Sequence, residues 1–305
     1  MSTCAILVTG ATGFIGGHVI RDALARGDAV WAWSRNAANA RRKLPGAVRV
    51  VGALAEIPPG EPIDAIVNLA GAPVIGPPWT RARRQLLIDS RVKTTAAALA
   101  WCASRTRRPA VLVSASAIGF YGPAGDRWLD EASAPQPVFQ SQLCLAREAA
   151  TSAAADIGIR AVNLRIGLVL GADGGIFTRL ALPAKLGFAA RIGDGQQWMS
   201  WIHIDDLVRI VQLAIDDPSL SGPINAVAPV PVRQGDFQRA LTHALHRPLW
   251  LRIPGAALRL ALGEMAELLV QGQRVTPRRL LEAGFAFRHP ELAQALEDLV
   301  RPGRS

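Results

Sequence analysis

The chain has 305 residues, of which 50% are hydrophobic and 19% are charged, and its formal net charge is +10. This composition allows a large core in one or two closely packed domains. No run of about 18 apolar residues offers a membrane span. The positive charges form short, scattered clusters without interleaved aromatic residues, which argues against nucleic-acid binding. The odd, widely spaced cysteines Cys4, Cys102 and Cys144 predict reduced core thiols, with no disulfide framework and no metal site.

The chain opens with a predicted strand at 4–9, the glycine-rich segment TGATGFIG at 9–16, and a predicted helix at 14–26. Gly10 allows a sharp turn, Gly13 lets the backbone approach a pyrophosphate, and Gly16 lets the helix pack close to the sheet. A helix N-terminus also offers free N–H groups and the positive end of the helix dipole. We therefore predict a dinucleotide phosphate site. Its residues are Gly10, Thr12, Gly13, Phe14, Ile15 and Gly16.

Apolar, β-branched runs alternate with helix-period segments along the following residues, as is typical of a parallel sheet covered by helices on both faces. Further strands are predicted at 29–34, 48–51, 64–69, 110–115 and 160–166. Long helices are predicted at 79–103 and 139–157, and shorter ones near 205–216 and 235–246. After Pro254 the sequence looks helical. The fold class we predict is α/β, a Rossmann-type doubly wound parallel sheet with a smaller C-terminal α/β substrate lobe.

The pattern also predicts the domain organisation. Residues 1–170 form the dinucleotide-binding domain, which can also receive later segments near 196–230. Residues 171–305 form the substrate lobe, including a helical extension at 250–298. Because the first strand begins too early to leave room for a signal peptide, we expect a cytoplasmic protein.

Ser34 and Arg35 follow the second predicted strand. An NAD site usually has an acidic residue here to hold the ribose 2′-hydroxyl, whereas an arginine accommodates a 2′-phosphate. Guanidinium groups match phosphate oxygens in bidentate geometry, and an acidic side chain would repel them. NADP(H) is therefore preferred over NAD(H). The alternative is that Arg35 is only a solvated residue at a strand end.

Small and polar residues follow the next two strands of the predicted sheet. A small-residue loop ends the strand at 64–69, and hydroxyl groups end the strand at 110–115, where ligands bind in such sheets. We expect these loops to line the cofactor. The residues are Asn68, Leu69, Ala70, Gly71 and Ser114.

Further motifs follow in a set order: LRIGLVLG at 164–171, GDGQ at 193–196, WIHIDDL at 201–207 and GPIN at 222–225. With them the chain resembles the extended short-chain dehydrogenase/reductase superfamily, which is NAD-dependent epimerase/dehydratase-like. It is most similar to the atypical "epimerase family protein" group, whose C-terminal helical extension matches residues 254–296. The resemblance covers essentially the whole chain. It implies a Rossmann core, a pyridine nucleotide and a small-molecule substrate that the group does not define.

The usual catalytic pair of that superfamily is missing. It consists of a tyrosine and a lysine four residues later on one helix, where the ammonium group lowers the pKa of the phenol. The only tyrosine is Tyr121, and a glycine stands four positions after it. In the matching helix the tyrosine place is Phe139 or Gln140, and the lysine place is Leu143 or Cys144. None of these residues can serve as a base and its cation.

Other residues could still handle a proton. Ser116 matches the active-site serine of the superfamily and could polarise a carbonyl group. Tyr121 lies just beyond it and would need a new partner to lower its pKa. Arg91 replaces the asparagine of the superfamily, and it could supply positive charge together with Lys93 if both face the nicotinamide. Ser116 and Tyr121 are therefore the catalytic candidates, and strand-end and packing roles are the alternative.

Arg165 and Trp201 are the candidate substrate residues. Arg165 could bind an anionic group or tie the two lobes together, and Trp201 could line a cleft or pack in the core. For His203 we expect a structural role, with Asp205 or Asp206 as the N-cap of the next helix.

Two functions remain open. The first is an NADP(H)-binding epimerase or oxidoreductase that acts on a small molecule with nonstandard proton transfer. The second is a noncatalytic NADP(H)-binding sensor or regulatory protein. No partner other than a small molecule is expected, apart from a second copy of the chain in a homodimer.

Overall fold

The computed structural model describes residues 4–300. Residues 1–3 and 301–305, the ends of the predicted N-terminal domain and of the predicted lobe, lie outside the described residues. In chain order the β-strands are β1 (Ala5–Thr9), β2 (Ala29–Trp33), β3 (Arg49–Val51), β4 (Ala65–Asn68), β5 (Val111–Ala117), β6 (Trp128–Leu129), β7 (Arg160–Ile166), β8 (Leu168–Gly171), β9 (Ala190–Ile192), β10 (Trp198–Met199), β11 (Trp201–His203), β12 (Gly222–Ala226), β13 (Val232–Arg233), β14 (Leu251–Ile253) and β15 (Arg274–Val275).

The helices connect these strands. They are α1 (Phe14–Ala25), α2 (Ala37–Lys43), α3 (Arg81–Ala103), α4 (Phe139–Ser152), α5 (Gly175–Lys185), α6 (Ile204–Asp216), α7 (Gln234–Ala244), α8 (Gly255–Leu262), α9 (Glu267–Val270), α10 (Arg278–Glu282) and α11 (Leu292–Val300). The helix predicted at 139–157 ends earlier, at Ser152, and a short 3-10 turn follows it.

The central sheet has seven parallel strands in the order β12-β7-β5-β4-β1-β2-β3. The carboxyl ends of its strands therefore meet at one edge, and the sheet order reverses next to β1. This architecture confirms the predicted α/β class, with a Rossmann-type parallel sheet and a C-terminal α/β region. The edge strand β12 comes from residues far along the chain, beyond the first half of the sequence.

Strand β1 shows why these residues form a central strand. All five residues are buried, as expected for a parallel strand covered on both faces. Ile6 and Val8 belong to a core cluster shared with α1 and α6. Leu7 points the other way, into a cluster shared with the end of α3. Each fully buried side chain of this kind contributes about 1.5–3 kcal/mol.

The C-terminal part has its own core, and four short strand pairs lie outside the central sheet. Helices α5, α7 and α11 contribute the buried side chains Phe177, Phe237 and Leu296 to this core, and β11 contributes Trp201. Short pairs link β8 with β11, β9 with β14, β10 with β13, and β6 with β15. The prediction of a helical chain after Pro254 was too simple, because β15 and several loops separate the four short helices α8 to α11 in the described part of this segment.

No helix within residues 4–300 is long and apolar enough to cross a membrane. The three cysteines are free thiols. Burial raises the pKa of Cys4 to about 11 and that of Cys102 to about 12.

Candidate functional site

The glycine turn between β1 and α1 is so narrow that side chains would not fit at two of its positions. Gly10 has a φ of +68°, and a Cβ on it would lie 2.8 Å from the carbonyl carbon of Leu69. A Cβ on Gly16 would lie 2.4 Å from the carbonyl oxygen of Gly10. Helix α1 begins at Phe14 without a side-chain cap, so the N–H groups of its first turn are available to an anion. The turn fits a dinucleotide phosphate.

Phe14 also holds a second glycine-rich loop, at residues 171–175. A Cβ on Gly171 would lie 2.4 Å from Phe14 Cζ, and a Cβ on Gly174 would lie 2.5 Å from Phe14 Cδ2. The ring is therefore committed to this loop, and the cofactor contact predicted for Phe14 can come only from its backbone N–H. Thr12 is exposed and Ile15 is half-buried on the same turn.

Arg35 lies at the end of β2 with its guanidinium in solvent. No described residue forms an ion pair or a hydrogen bond with its side chain. Ser34 beside it is half-buried, and its N–H donates to the carbonyl of Val51. Arg41 and Arg42 of α2 are exposed nearby, and their side chains donate to Val50 O and Asn39 Oδ1, respectively. This corner of the site is therefore positive and open to a phosphate.

Asn68 at the end of β4 is fully buried, so its side chain faces the core of the sheet. Its Oδ1 accepts a hydrogen bond from Thr9 Oγ1 at 2.7 Å, and its Nδ2 donates to Thr95 Oγ1 at 2.9 Å. Thr9 Oγ1 also accepts from the N–H of Ala70. The Asn68 side chain therefore has a positioning role, since this network holds the loop that begins at Leu69, and the predicted cofactor contact of this segment is left to its backbone.

Ser114 is also fully buried, and its hydroxyl accepts a hydrogen bond from Arg147 Nε at 3.2 Å. Arg147 donates further hydrogen bonds to Ala70 O at 3.0 Å and to Asn68 O at 2.5 Å. Burial lowers the pKa of Arg147 to about 9, which leaves its guanidinium charged at neutral pH. Arg147 is therefore a buried cation that contacts the loop between β4 and α3.

Arg91 of α3 also contacts this loop. Its Nη1 donates to Leu87 O at 2.9 Å, and its Nη2 donates to Ala72 O at 3.1 Å. Gly71 lies against this guanidinium so closely that a Cβ would be 2.9 Å from Arg91 Cζ. Burial lowers the pKa of Arg91. Lys93, its predicted companion, points into solvent and pairs with Asp89.

Ser116 lies at the end of β5 and is half-buried. Its hydroxyl donates to Glu148 Oε1 at 2.7 Å. The same carboxylate accepts two hydrogen bonds from Arg165, at 3.0 Å from Nε and 2.9 Å from Nη2. The side chain of Arg165 is 4% exposed and that of Glu148 is 12% exposed. Arg165 is therefore engaged in a buried ion pair and is not free to bind a substrate anion.

Tyr121 is fully buried and out of reach of a substrate. Its hydroxyl donates to Asn225 Oδ1 at 2.6 Å and accepts from Arg165 Nη1 at 3.1 Å. Burial raises the pKa of Tyr121 to about 12. This phenol therefore braces β12 against β7, and the structure joins it to Ser116 only through Arg165 and Glu148.

The structure decides which residues of α4 face β5. Gln140 packs on Gly119, and Cys144 Sγ donates to Ala117 O at 3.6 Å. Phe139 and Leu143 instead pack with Trp79 in a separate cluster. Gln140 and Cys144 thus occupy the tyrosine and lysine places. Burial raises the pKa of Cys144, so it remains a thiol and supplies no cation.

Trp201 is fully buried, and its Nε1 donates to Val230 O at 3.0 Å. It belongs to the core and does not line a cleft. Trp198 instead lines a cavity of about 400 Å³, and Pro123, two residues after Tyr121, lines the same cavity. The Trp198 ring lies between the guanidinium groups of Arg233 and Arg274, at 3.9 and 4.2 Å. This cavity is a candidate substrate pocket.

His203 is itself the N-cap of α6, because its Nδ1 accepts from the N–H of Asp205 at 3.1 Å. The expected structural role is therefore present, although Asp205 and Asp206 are not the cap. Asp206 is fully buried and accepts hydrogen bonds from the N–H groups of Arg288 and His289. His203, Asp205 and His289 also bring three metal-ligand atoms within 4.8 Å of one another. However, the cap already uses Nδ1 of His203, and the two imidazole rings are stacked 3.8 Å apart.

Sequence reasoning missed Arg147 and Glu148. A signal was available, because they lie three and four residues after Cys144, on the helix face that meets the sheet. Such positions are apolar in an ordinary core-facing helix. Charged residues there indicate a buried polar network.

Two family models match the chain. The NAD dependent epimerase/dehydratase family matches residues 6–226, and a domain of unknown function, DUF1731, matches residues 253–299. The epimerase family protein Mb2239 of Mycobacterium bovis is 42% identical over 79% of this chain and 80% of its own length. The epimerase family protein YfhF of Bacillus subtilis is 34% identical over 97% of both chains.

Among solved structures, the human epimerase family protein SDR39U1 (isoform 2) with NADPH is 30% identical to this chain. The match has a TM-score of 0.85 and covers 97% of this chain and 98% of the human one.

Proposed function

This chain belongs to the NAD dependent epimerase/dehydratase family, as an epimerase family protein with a C-terminal DUF1731 domain, and we propose that it is an NADP(H)-binding oxidoreductase or epimerase. The resemblance inferred from the motifs is thereby confirmed. A bound nicotinamide cofactor would supply hydride transfer to or from a hydroxyl or carbonyl carbon. The proposed substrate is a small molecule with a hydroxyl or carbonyl group.

The observation that carries the choice of NADP(H) is Arg35 at the end of β2. It is exposed and, among the described residues, without an acidic partner. Its position next to the glycine turn is where a 2′-phosphate is bound in Rossmann folds. The human relative was crystallised with NADPH, which supports the same preference. The cofactor would be held by the N–H groups of the first turn of α1, by Ser34 and Arg35, and by the loop at Leu69, Ala70 and Gly71.

Ser116 and Glu148 are the groups that we assign to proton transfer. The Ser116 hydroxyl donates to Glu148, so its oxygen lone pairs remain open to a donor from a substrate. When a substrate hydroxyl is oxidised, its proton passes to Ser116 Oγ while the Ser116 proton passes to the Glu148 carboxylate. Arg165 balances the charge of Glu148 before the transfer. This relay would replace the missing tyrosine and lysine.

A noncatalytic NADP(H) sensor is the second candidate. The burial of Tyr121 and the neutral thiol of Cys144 favour it, because the usual proton donor and its cation are both missing from the cofactor edge. Both candidates share the cofactor site and differ only in turnover.

Cofactor binding is tested by measuring dissociation constants for NADPH and NADH by calorimetry. We expect NADPH to bind more tightly, and Arg35→Ala to weaken NADPH binding by about 10-fold to 100-fold through loss of a charge-assisted hydrogen bond. NADH binding should not change. Arg107→Ala is the matched control, because Arg107 is exposed and pairs with Asp64, before β5 and away from the carboxyl edge of the sheet. Tighter binding of NADH than of NADPH would contradict the proposal.

Turnover separates the two candidates. The wild-type protein is incubated with NADP(H) and panels of carbonyl compounds and sugar nucleotides, and the products are analysed by mass spectrometry. Absorbance alone is insufficient, because an epimerase returns its hydride and leaves no net change. A product that disappears in Ser116→Ala supports the enzyme. Cofactor binding without any product supports the sensor.

A further inference from the structure

Two guanidinium groups near the end of β4 carry positive charges without carboxylate partners. Arg147 is 5% exposed and donates to Asn68 O, Ala70 O and Ser114 Oγ. Arg91 donates to the carbonyl oxygens of Leu87 and Ala72. Within residues 4–300 neither side chain forms an ion pair with an acidic group. Arg165, by contrast, is neutralised by Glu148. The charges of Arg91 and Arg147 therefore have no carboxylate that compensates them.

The strand order indicates which end of a bound cofactor these charges face. The glycine turn follows β1, and Arg35 follows β2 on one side of it. The loop 69–72 and Ser116 follow β4 and β5 on the other side. With the phosphates at the turn and the 2′-phosphate at Arg35, the nicotinamide ribose belongs over β4 and β5. Arg91 and Arg147 bind the carbonyl groups of residues 68–72 and therefore lie under the nicotinamide end.

Resting on the proposed NADP(H) site, we infer that Arg91 and Arg147 make this site selective for the reduced cofactor, so that it binds NADPH more tightly than NADP+. The two forms carry the same phosphate groups. They differ in the nicotinamide ring, which has a positive charge only when it is oxidised. Arg147 is buried and Arg91 is half-buried, so their charges repel that ring more strongly than exposed charges would, because the protein interior and the bound cofactor exclude much of the water that screens them.

A purely structural role of the two arginines predicts a different result. If the two arginines only supported the loop 69–72, their replacement would change the dissociation constants of NADPH and NADP+ by the same factor, because both forms contact the same backbone. Only a charge effect changes the ratio of the two dissociation constants. The ratio is therefore the measurement that distinguishes selectivity from loop support, and it requires no substrate.

The experiment measures the dissociation constants of NADPH and NADP+ for the full chain by calorimetry at neutral pH. We expect the wild-type protein to bind NADPH on the order of tenfold more tightly. A tenfold ratio raises the midpoint potential of the bound couple by about 30 mV. Arg91→Met should lower the ratio by about threefold or more, whereas Arg91→Lys should retain it. Lys93→Met is the matched control, because Lys93 is exposed on the same helix, and it should leave the ratio unchanged.

Equal affinities for NADPH and NADP+ in the wild-type protein would overturn the inference. So would equal changes of the ratio in Arg91→Met and Arg91→Lys. Thermal melting without cofactor checks the folding of each variant, and if Arg91→Met does not fold, the wild-type ratio decides alone. Absence of binding by either form would refute the proposed cofactor site itself, which is a distinct outcome.

Discussion

Replacing Arg165 by methionine tests the buried network below the cofactor site. Arg165 binds both oxygens of Glu148, and its Nη1 donates to Tyr121 Oη and to the carbonyl oxygen of Glu131, each at 3.1 Å. Methionine keeps much of the aliphatic volume but removes the cation. The Glu148 carboxylate, 12% exposed, would then keep its hydrogen bond from Ser116 and lose its counter-charge.

The expected loss follows from the geometry. Opposite charges about 4 Å apart attract each other by about 4 kcal/mol at an effective dielectric constant of 20. Removing one partner of a buried ion pair costs about 3–5 kcal/mol, since the other charge stays buried. Arg165→Met should therefore lower the free energy of unfolding by about 3–5 kcal/mol. In the double variant Arg165→Met with Glu148→Gln, no charge is left unpaired, so its loss should be about 2 kcal/mol less than the sum of the single losses.

Urea unfolding followed by circular dichroism and tryptophan fluorescence measures these free energies. Arg107→Met is the control, because it removes an exposed ion pair with Asp64 that contributes about 0–1 kcal/mol. The reasoning fails if Arg165→Met costs less than about 1 kcal/mol. It also fails if the losses of the two single variants simply add, because the charges would then not be coupled.

Four further changes have defined outcomes. Gly16→Ala should weaken NADPH binding by about tenfold or more in calorimetry, because the new Cβ would meet the Gly10 carbonyl oxygen at 2.4 Å. Tyr121→Phe should lower the free energy of unfolding by about 1–2 kcal/mol and leave NADPH affinity and any turnover unchanged; a loss of turnover would contradict the burial argument. Asp206→Asn should lower the urea midpoint by an amount equivalent to about 1–3 kcal/mol and speed proteolysis near His289, whose N–H it binds. Burial lowers the pKa of His203 from 6.5 to about 4, so the unfolded chain binds a proton at this residue before the folded chain does as the pH falls. The free energy of unfolding should therefore decrease by up to about 3 kcal/mol between about pH 6.5 and 4. His203→Asn, which keeps an N-cap acceptor, should make this decrease smaller in urea titrations.

Six of the seven strands of the central sheet, all except β12, could be predicted closely because their signal is local. Each predicted range from 4–9 to 160–166 overlaps a strand of the structure. The apolar runs are buried on both faces, and the pattern needs no knowledge of distant residues. Helix α2 and most of the short strands were not predicted. They contain few residues, so their hydrophobic period is too short to identify.

The site was predictable only where backbone geometry decides it. The glycine turn and Arg35 follow from their place after β1 and β2. The roles of Tyr121 and Arg165 depend on contacts across the chain, such as the bond from Tyr121 to Asn225, which lies 104 residues away. Sequence spacing does not show that Arg165 meets Glu148, because β7 and α4 approach each other only in the folded sheet.

The proposed cofactor site and the proposed proton relay rest on different elements of this fold. The phosphate site needs the β1 turn, α1 and the end of β2, and none of these contacts involves Glu148. Arg147 and Glu148 of α4 lie one turn beyond Cys144, and in the proposed relay Glu148 exchanges a proton with a substrate through Ser116. We therefore expect a variant that loses this relay to keep the proposed NADP(H) site. Burying the Ser116–Glu148–Arg165 network requires the desolvation of two charges, and this favours the proposed enzyme over the proposed sensor, because cofactor binding alone does not require the network.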